Sequence, residues 1–302
     1  LPFTSLIEGL REAFASGKIV TPPRAHLAYD GEAGQDQSTL LLMPAWKPGE
    51  ELGVKVVTVT PGNGKRTLPS VQGVYLLFDA ATGSCTHVFD AAMLTARRTA
   101  ATSALASSML SRPESESMLM VGTGVLAPHL IEAHATVRPI RQVMVWGRDS
   151  AKSKQLVNSL SLGNGIVVES VTGLEEACGR ADIISCATLA KEPLLVGGWI
   201  RAGTHIDLVG SYLPTTREVD DAVISGAQLF VDHEGALKES GDLAIPLKTG
   251  LLHLEDVRAT LSELCNDSKP GRTSAKEITL FKSVGHAMED LVAARILRRA
   301  IG

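Results

Sequence analysis

Two short stretches carry residue types that chemistry would need. The first is "MLMVGTGVLAPHLIEA", which places Gly122-x-Gly124-x-x-Ala127 between a strand-like run and a helix-like one. The first glycine permits a tight turn, the second lets the backbone approach a pyrophosphate, and the small third residue lets helix pack on strand. The helix N-terminus adds N–H donors and a partial positive charge. A dinucleotide would therefore meet Gly122, Thr123, Gly124, Val125 and Leu126. The second stretch is "GVKVVTVTPGN", residues 53–63, where valines surround Lys55. Such β-branched runs form half-buried or buried strands. Lysine is almost never fully buried without a partner, and an isolated buried ammonium would give up its proton. Lys55 is either an edge lysine that discourages aggregation or a cation kept for a ligand.

The strand after the glycine motif ends "VMVWGRDS". A carboxylate at that tip normally takes the ribose 2′-hydroxyl of NAD, whereas arginine accommodates the 2′-phosphate of NADP. Gly147 and Arg148 occupy the tip, and Ser150 can donate at the start of the next helix. This favours NADPH. Asp149 is the competing ribose acceptor, and NADH is the alternative cofactor.

These residues need a scaffold. Phe3, Leu6, Ile7, Leu10 and Phe14 fall at helical spacing and predict an amphipathic helix. Strand-like pieces follow at residues 39–43, 53–60 and 71–89, the last broken at "DAATGS" by a hairpin turn with Gly83 at positive φ. Asp90 caps a long Ala/Leu/Met-rich helix. The polar "SRPESES" is the linker candidate. From residue 118 the rhythm changes to short apolar runs separated by helices: "MLMVG", "QVMVWG", "GIVVES", "ADIISCAT", "HIDLVGS" and "AQLFVD". That alternation predicts βαβ units and a parallel sheet. Near the end come a strand, "EITLFKSVG", and an amphipathic helix, "HAMEDLVAARILRRA". The fold expected is α/β, a Rossmann-type doubly wound domain at 114–285 beside an α+β domain formed by 1–113 and 286–302.

The 302 residues are 44% hydrophobic, ample for a core, and carry a formal net charge of -4. No polycationic footprint suggests nucleic acid as a partner. No apolar run reaches the roughly 18 residues of a membrane span, and no secretory leader opens the chain. Cys85, Cys178, Cys186 and Cys265 are scattered, without metal-ligand spacing, and read as buried free thiols of a cytoplasmic protein.

Over nearly its whole length the sequence resembles the ornithine cyclodeaminase/μ-crystallin family. The resemblance rests on "PPRAHL", "GVKVVTVTPGN", "LPSVQGVYLLFDAATG", "TARRTAATSALAS", "VGTGVLAPH", "VGSYLPTTREVDD" and "FKSVGHAMEDL", in the family's order and spacing. It implies a homodimer whose first domain binds substrate and contributes to dimerisation. It also implies that Arg24, Lys55 and Arg98 clamp a substrate carboxylate, which suits the planar fork of arginine. Arg97 and Arg98 lie about 100° apart on a helix, so only one can face the site, and the Thr-x-x-Arg-Thr pattern selects Arg98. On the same template Ser70 is a hydroxyl near substrate and nicotinamide, and Thr188, Val209 and Ser283 are cofactor contacts.

Two departures from the family pattern bear on the reaction. Ornithine cyclodeaminases carry an aspartate where "VGSY" has Tyr212, and a glutamate where "LLLMP" has Leu41. A pocket lacking both carboxylates suits a substrate whose ring is already closed. Leu126 replaces a glutamine common in relatives. The resemblance then implies an imine reductase passing hydride from NAD(P)H to a cyclic imino acid. The candidate conversions are Δ1-pyrroline-2-carboxylate to L-proline and Δ1-piperideine-2-carboxylate to L-pipecolate. Lys55, through water, or Ser70 would relay the proton, and Tyr212 either contacts the ring or fills the aspartate's space. His205 reads as structural. The rivals are a cyclodeaminase or open-chain (alanine) dehydrogenase, and a non-catalytic μ-crystallin-like binder.

Overall fold

A computed structural model describes residues 1–31, 37–66, 68–163 and 165–301. In chain order it has α1 (Phe3–Ser16), β1 (Ala25–Tyr29), β2 (Ser38–Lys47), β3 (Glu51–Val59), β4 (Val71–Asp79), β5 (Cys85–Asp90) and α2 (Ala91–Leu110). Next come β6 (Ser117–Val121), α3 (Leu126–Val137), β7 (Gln142–Trp146), α4 (Ser150–Ser159), β8 (Val167–Ser170), α5 (Leu174–Arg180) and β9 (Ile183–Cys186). The chain then forms β10 (His205–Leu208), α6 (Asp221–Gly226), β11 (Ala227–Val231), α7 (Ala236–Glu239) and α8 (Gly241–Thr249). It ends with β12 (Val257–Thr260), α9 (Leu261–Cys265), β13 (Ile278–Lys282) and α10 (Ala287–Ile301). No helix among the described residues is long and apolar enough to cross a membrane.

Two compact units result: Leu1–Thr99 with His286–Gly302, and Ala100–Gly285. The first unit holds a five-stranded antiparallel sheet in the order β1-β2-β3-β4-β5. Burial along β3 alternates residue by residue, with Glu51, Gly53, Lys55 and Val57 buried. The period of two in the valine run thus sends Lys55 to the inner face, against which α10 packs. α1 lies on α10, and a Cβ added at Gly9 would come 2.9 Å from Ile296 Cδ1. The hairpin turn has Gly83 at φ 72, and Asp79 accepts the Ala81 and Thr82 backbone N–H groups at 3.0 and 2.8 Å.

The second unit is a doubly wound domain around a parallel sheet ordered β12-β11-β13-β10-β9-β6-β7-β8. Its strands read as nearly unbroken apolar runs because helices cover both faces. Leu119, Val121, Ile184, Ile206, Leu208 and Leu280 are fully buried in one core cluster. Strand order reverses between β6 and β9, the place where ligands bind such sheets.

Three expectations need correction. The first boundary falls inside α2, at Thr99/Ala100, not at 113/114. Within "SRPESES", Ser111 and Ser115 are 3% and 0% exposed; the Arg138 guanidinium donates to the Ser111 hydroxyl and carbonyl at 2.8 and 3.0 Å, and Asp182 accepts the Glu116 and Ser117 backbone N–H groups at 3.0 Å each. A polar, proline-bearing string can be packed when an arginine and an aspartate from outside it satisfy its polar groups. Cys85 is exposed on β5, while the other three thiols are buried.

Candidate active site

Lys55 sits on the central strand of the antiparallel sheet, so the edge-strand reading fails. Across the strands it forms one row with Met43, Tyr75 and Phe89, all buried, and Lys55 itself is 3% exposed. The charge is partnered from α10: Lys55 Nζ lies 2.8 Å from Asp290 Oδ2 and donates to Thr95 Oγ1 of α2 at 3.4 Å. Arg98, one turn after Thr95, donates from Nε to Asp290 Oδ1 at 3.0 Å and from Nη1 to Glu289 Oε2 at 2.6 Å. Asp290 thereby bridges two of the three predicted cations. Arg97 faces elsewhere, its guanidinium 3.8 Å over the Phe3 ring.

The electrostatics follow from burial and pairing. Desolvation pulls the Lys55 ammonium down to about 8, with Arg98 and Arg24 adding repulsion and Asp290 opposing both. Burial would also lower the Arg98 guanidinium, but Asp290 and Glu289 outweigh it and hold it above its ordinary value. Burial alone would raise Asp290, yet the two cations keep it below the usual carboxylate range. Arg24, partly buried just before β1, lies within electrostatic reach of Lys55. The structure therefore gathers Arg24, Lys55 and Arg98 in one unit.

Ser70 is not brought to that row. It is exposed and five residues before Tyr75, the register partner of Lys55, which is about 17 Å along a strand. Tyr212 belongs to the second unit and is 43% exposed. The acids Asp290 and Glu289 were absent from the sequence expectation. "AMED" reads as the ordinary acidic first turn of a helix, and nothing local says that those carboxylates turn inward.

The cofactor residues fall along the carboxyl edge of the parallel sheet. Gly122 to Leu126 follow β6, Arg148 and Ser150 follow β7, Thr188 follows β9, Val209 follows β10, and Ser283 follows β13. Gly122 has φ 119, and a Cβ there would come 2.5 Å from the Ala187 carbonyl oxygen. An added Cβ at Gly124 meets nothing within 4 Å, and no side chain caps the N-terminus of α3. Open space before a helix N-terminus that no side chain caps fits a pyrophosphate. Gly147 is constrained rather than roomy, since a Cβ would come 2.8 Å from Thr123 Cγ2 and 2.9 Å from Ser153 Oγ. Asp149 is the N-cap of α4, accepting the Ala151 and Lys152 N–H groups at 2.9 and 3.4 Å. Arg148 is exposed. His205 is fully buried, bonded through Nδ1 to Thr279 Oγ1 at 3.0 Å, and burial pushes its imidazole down to about 3.

With this geometry in place, comparison with known proteins is decisive at the level of family. The model of the ornithine cyclodeaminase/mu-crystallin family matches residues 3–301. The chain belongs to that family. It is 46% identical to an uncharacterized protein of Schizosaccharomyces pombe, over 98% of this chain and 92% of the relative. Among solved structures it matches the Δ1-pyrroline-2-carboxylate reductase of Thermococcus litoralis, in complex with NADH and L-proline, at TM-score 0.92 and 36% identity, covering 99% of this chain and 93% of the other. An archaeal alanine dehydrogenase dimer with bound NAD matches at TM-score 0.90 and 30% identity, covering 100% and 94%.

Proposed function

We propose that the protein is an NAD(P)H-dependent reductase of cyclic imino acids, converting Δ1-pyrroline-2-carboxylate to L-proline and Δ1-piperideine-2-carboxylate to L-pipecolate. The observation that carries this reading is the cation set. Lys55 and Arg98 are 3% and 5% exposed and share Asp290, with Arg24 in electrostatic range. Such a cluster suits one small carboxylate. Tyr212 and Leu41 stand where cyclodeaminases have acids, so no carboxylate at those positions serves a second amine.

In this reading Arg24, Lys55 and Arg98 bind and orient the substrate carboxylate, and the bound cofactor supplies a hydride to the imine carbon. Positioning of the reacting carbon supplies much of the rate. The imine nitrogen must gain a proton, and Lys55 is the group suited to provide it through water. With its ammonium held at about 8, it is charged at neutral pH and still close to giving up a proton. Ser70, exposed and far along the sheet, has no such case. Arg148 at the β7 tip favours NADPH, because Asp149 spends a carboxylate oxygen on capping α4; NADH is the alternative.

A homodimer accompanies this reading. The outer face of the five-stranded sheet carries Leu27, Val74 and Val88 at 49, 41 and 62% exposure, an apolar face suited to a second copy, and the archaeal relative is a dimer. The test is NADPH oxidation with five- and six-membered cyclic imines, alongside ornithine with NAD and an ammonia assay. Turnover of either imine without ammonia is the expected outcome. Ammonia release would favour the open-chain dehydrogenase or the cyclodeaminase, and cofactor binding without turnover would favour a binding protein.

A further inference from the structure

One buried carboxylate lies outside the chemistry above. Glu218, between β10 and α6, is fully buried. Its Oε1 accepts the Thr188 backbone N–H at 2.8 Å and the Thr188 hydroxyl at 2.9 Å. Its Oε2 accepts the backbone N–H groups of Gly210 at 2.8 Å and Ser211 at 3.2 Å. Thr188 follows β9 and Gly210 follows β10, so one side chain joins the tips of two neighbouring strands. The tips also touch through the backbone, since a Cβ on Gly210 would come 2.1 Å from the Thr188 carbonyl oxygen.

A counter-charge lies behind this joint. Lys282, the last residue of β13, is fully buried, with Nζ 4.0 Å from Glu218 Oε2 and 3.4 Å from Asp242 Oδ2. Asp242 Oδ1 accepts the Glu218 and Val219 backbone N–H groups at 2.7 and 3.3 Å. Three adjacent strand tips, β9, β10 and β13, are thus tied to one charged knot. Burying such a knot is costly, and apolar packing would hold three strands at least as well. What apolar packing cannot do is fix the direction of backbone N–H groups and of a threonine hydroxyl.

In a doubly wound sheet, the two halves of a dinucleotide lie on either side of the strand-order reversal. The reversal lies between β6 and β9. The glycine loop and Arg148 belong to the β6–β7 side, which takes the adenine half. The tips joined by Glu218 belong to the other side. We propose that Glu218 is a positioning residue for the nicotinamide half of the cofactor, fixing Thr188 and the β10 tip as one platform with Lys282 as its counter-ion. The inference rests on the dinucleotide reading and is independent of the substrate.

The test is calorimetric titration of Glu218→Gln with two ligands: NADPH, and ADP in its 2′-phosphorylated form, which lacks the nicotinamide half. Glutamine keeps the shape but turns a donor toward donors. The expected result is an NADPH Kd raised about tenfold or more, with the ADP analogue held as in wild type. Equal weakening of both ligands, or of neither, would overturn the inference. Wild-type protein that binds neither of these ligands nor NADH would sink the dinucleotide reading instead, and if it binds NADH alone the same titrations are run with NADH and ADP. Should Glu218→Gln fail to fold, Glu218→Asp takes its place: its shorter carboxylate reaches one tip at a time, so NADPH again weakens selectively if the inference holds and the two ligands change together if it does not.

Discussion

The two units handle charge in opposite ways. In the antiparallel unit the proposed substrate-binding groups are sealed inside, where Lys55 and Arg98 lean on acids of α10. In the doubly wound unit the groups proposed to meet the cofactor first are exposed: Gly124 open, Val125 74% exposed, Arg148 in solvent. A small carboxylate must be stripped of water and held by strong, dry cations. A pyrophosphate can be cradled by main-chain N–H groups that need only a turn and an uncapped helix. Binding by buried charge depends on partners distant in the chain, whereas binding by backbone depends on a few consecutive residues.

The contrast can be broken most severely at Lys55. Replacing it in Lys55→Met leaves Asp290 paired with Arg98, so the unit folds, but turnover should fall about a thousandfold while the NADPH Kd is unchanged in a fluorescence titration. Surviving turnover would mean that the buried cation is not part of the chemistry. Arg98→Ala leaves buried Asp290 with Lys55 as its remaining cation and takes the guanidinium away from buried Glu289. The expected cost is roughly 3–5 kcal/mol of stability, visible as a lower urea midpoint; an unchanged midpoint would show that the acids are not held by Arg98.

On the cofactor side, Arg148→Ala removes an exposed charge-assisted donor. It should cut the preference for NADPH over NADH about 10- to 100-fold and leave the melting temperature where it was. Loss of affinity for both cofactors alike would refute the assignment of Arg148 to the 2′-phosphate.

A pH experiment sharpens the same comparison. If protonated Lys55 is required, kcat/KM for reduction is flat below about pH 8 and falls above it. Asp290 is what opposes desolvation there, so Asp290→Asn should move that limb to lower pH, by about one unit. A limb that stays in place would exclude Lys55 as its source. The same depressed pKa makes Lys55 a cost to folding that is full below about pH 8 and relieved as pH climbs toward 10.5. The smallest effect is expected at Tyr212, whose exposed ring should tolerate Tyr212→Leu within about 0.5 kcal/mol in thermal unfolding.

Local signals carried the doubly wound unit well. The glycine motif, the strand tip at Arg148 and most parallel strands were legible because each is written in consecutive residues. β1 and β12 escaped, the first as "AHLAY" with four of its five residues exposed and the second as the four-residue "VRAT". Neither has an apolar run to betray it. In the antiparallel unit the valine alternation around Lys55 announced a buried lysine but not what neutralises it. Asp290 lies on another element, and spacing says nothing about which acid of an acidic first turn points inward. Glu218 and Lys282 were hidden for the same reason, since each looks like an ordinary charge until the strands beside it are assembled.

The position of α10 has a consequence for how the protein is made. The acid that neutralises Lys55 lies in the last helix, after the whole of Ala100–Gly285. During translation the five strands of the first unit leave the ribosome long before Asp290 and Glu289 exist. Until then the inner face of their sheet holds Lys55 without Asp290 as its counter-ion and without the cover of α10. The doubly wound unit is free to fold first as a continuous piece of chain, while the unit that begins the sequence has to wait for its end.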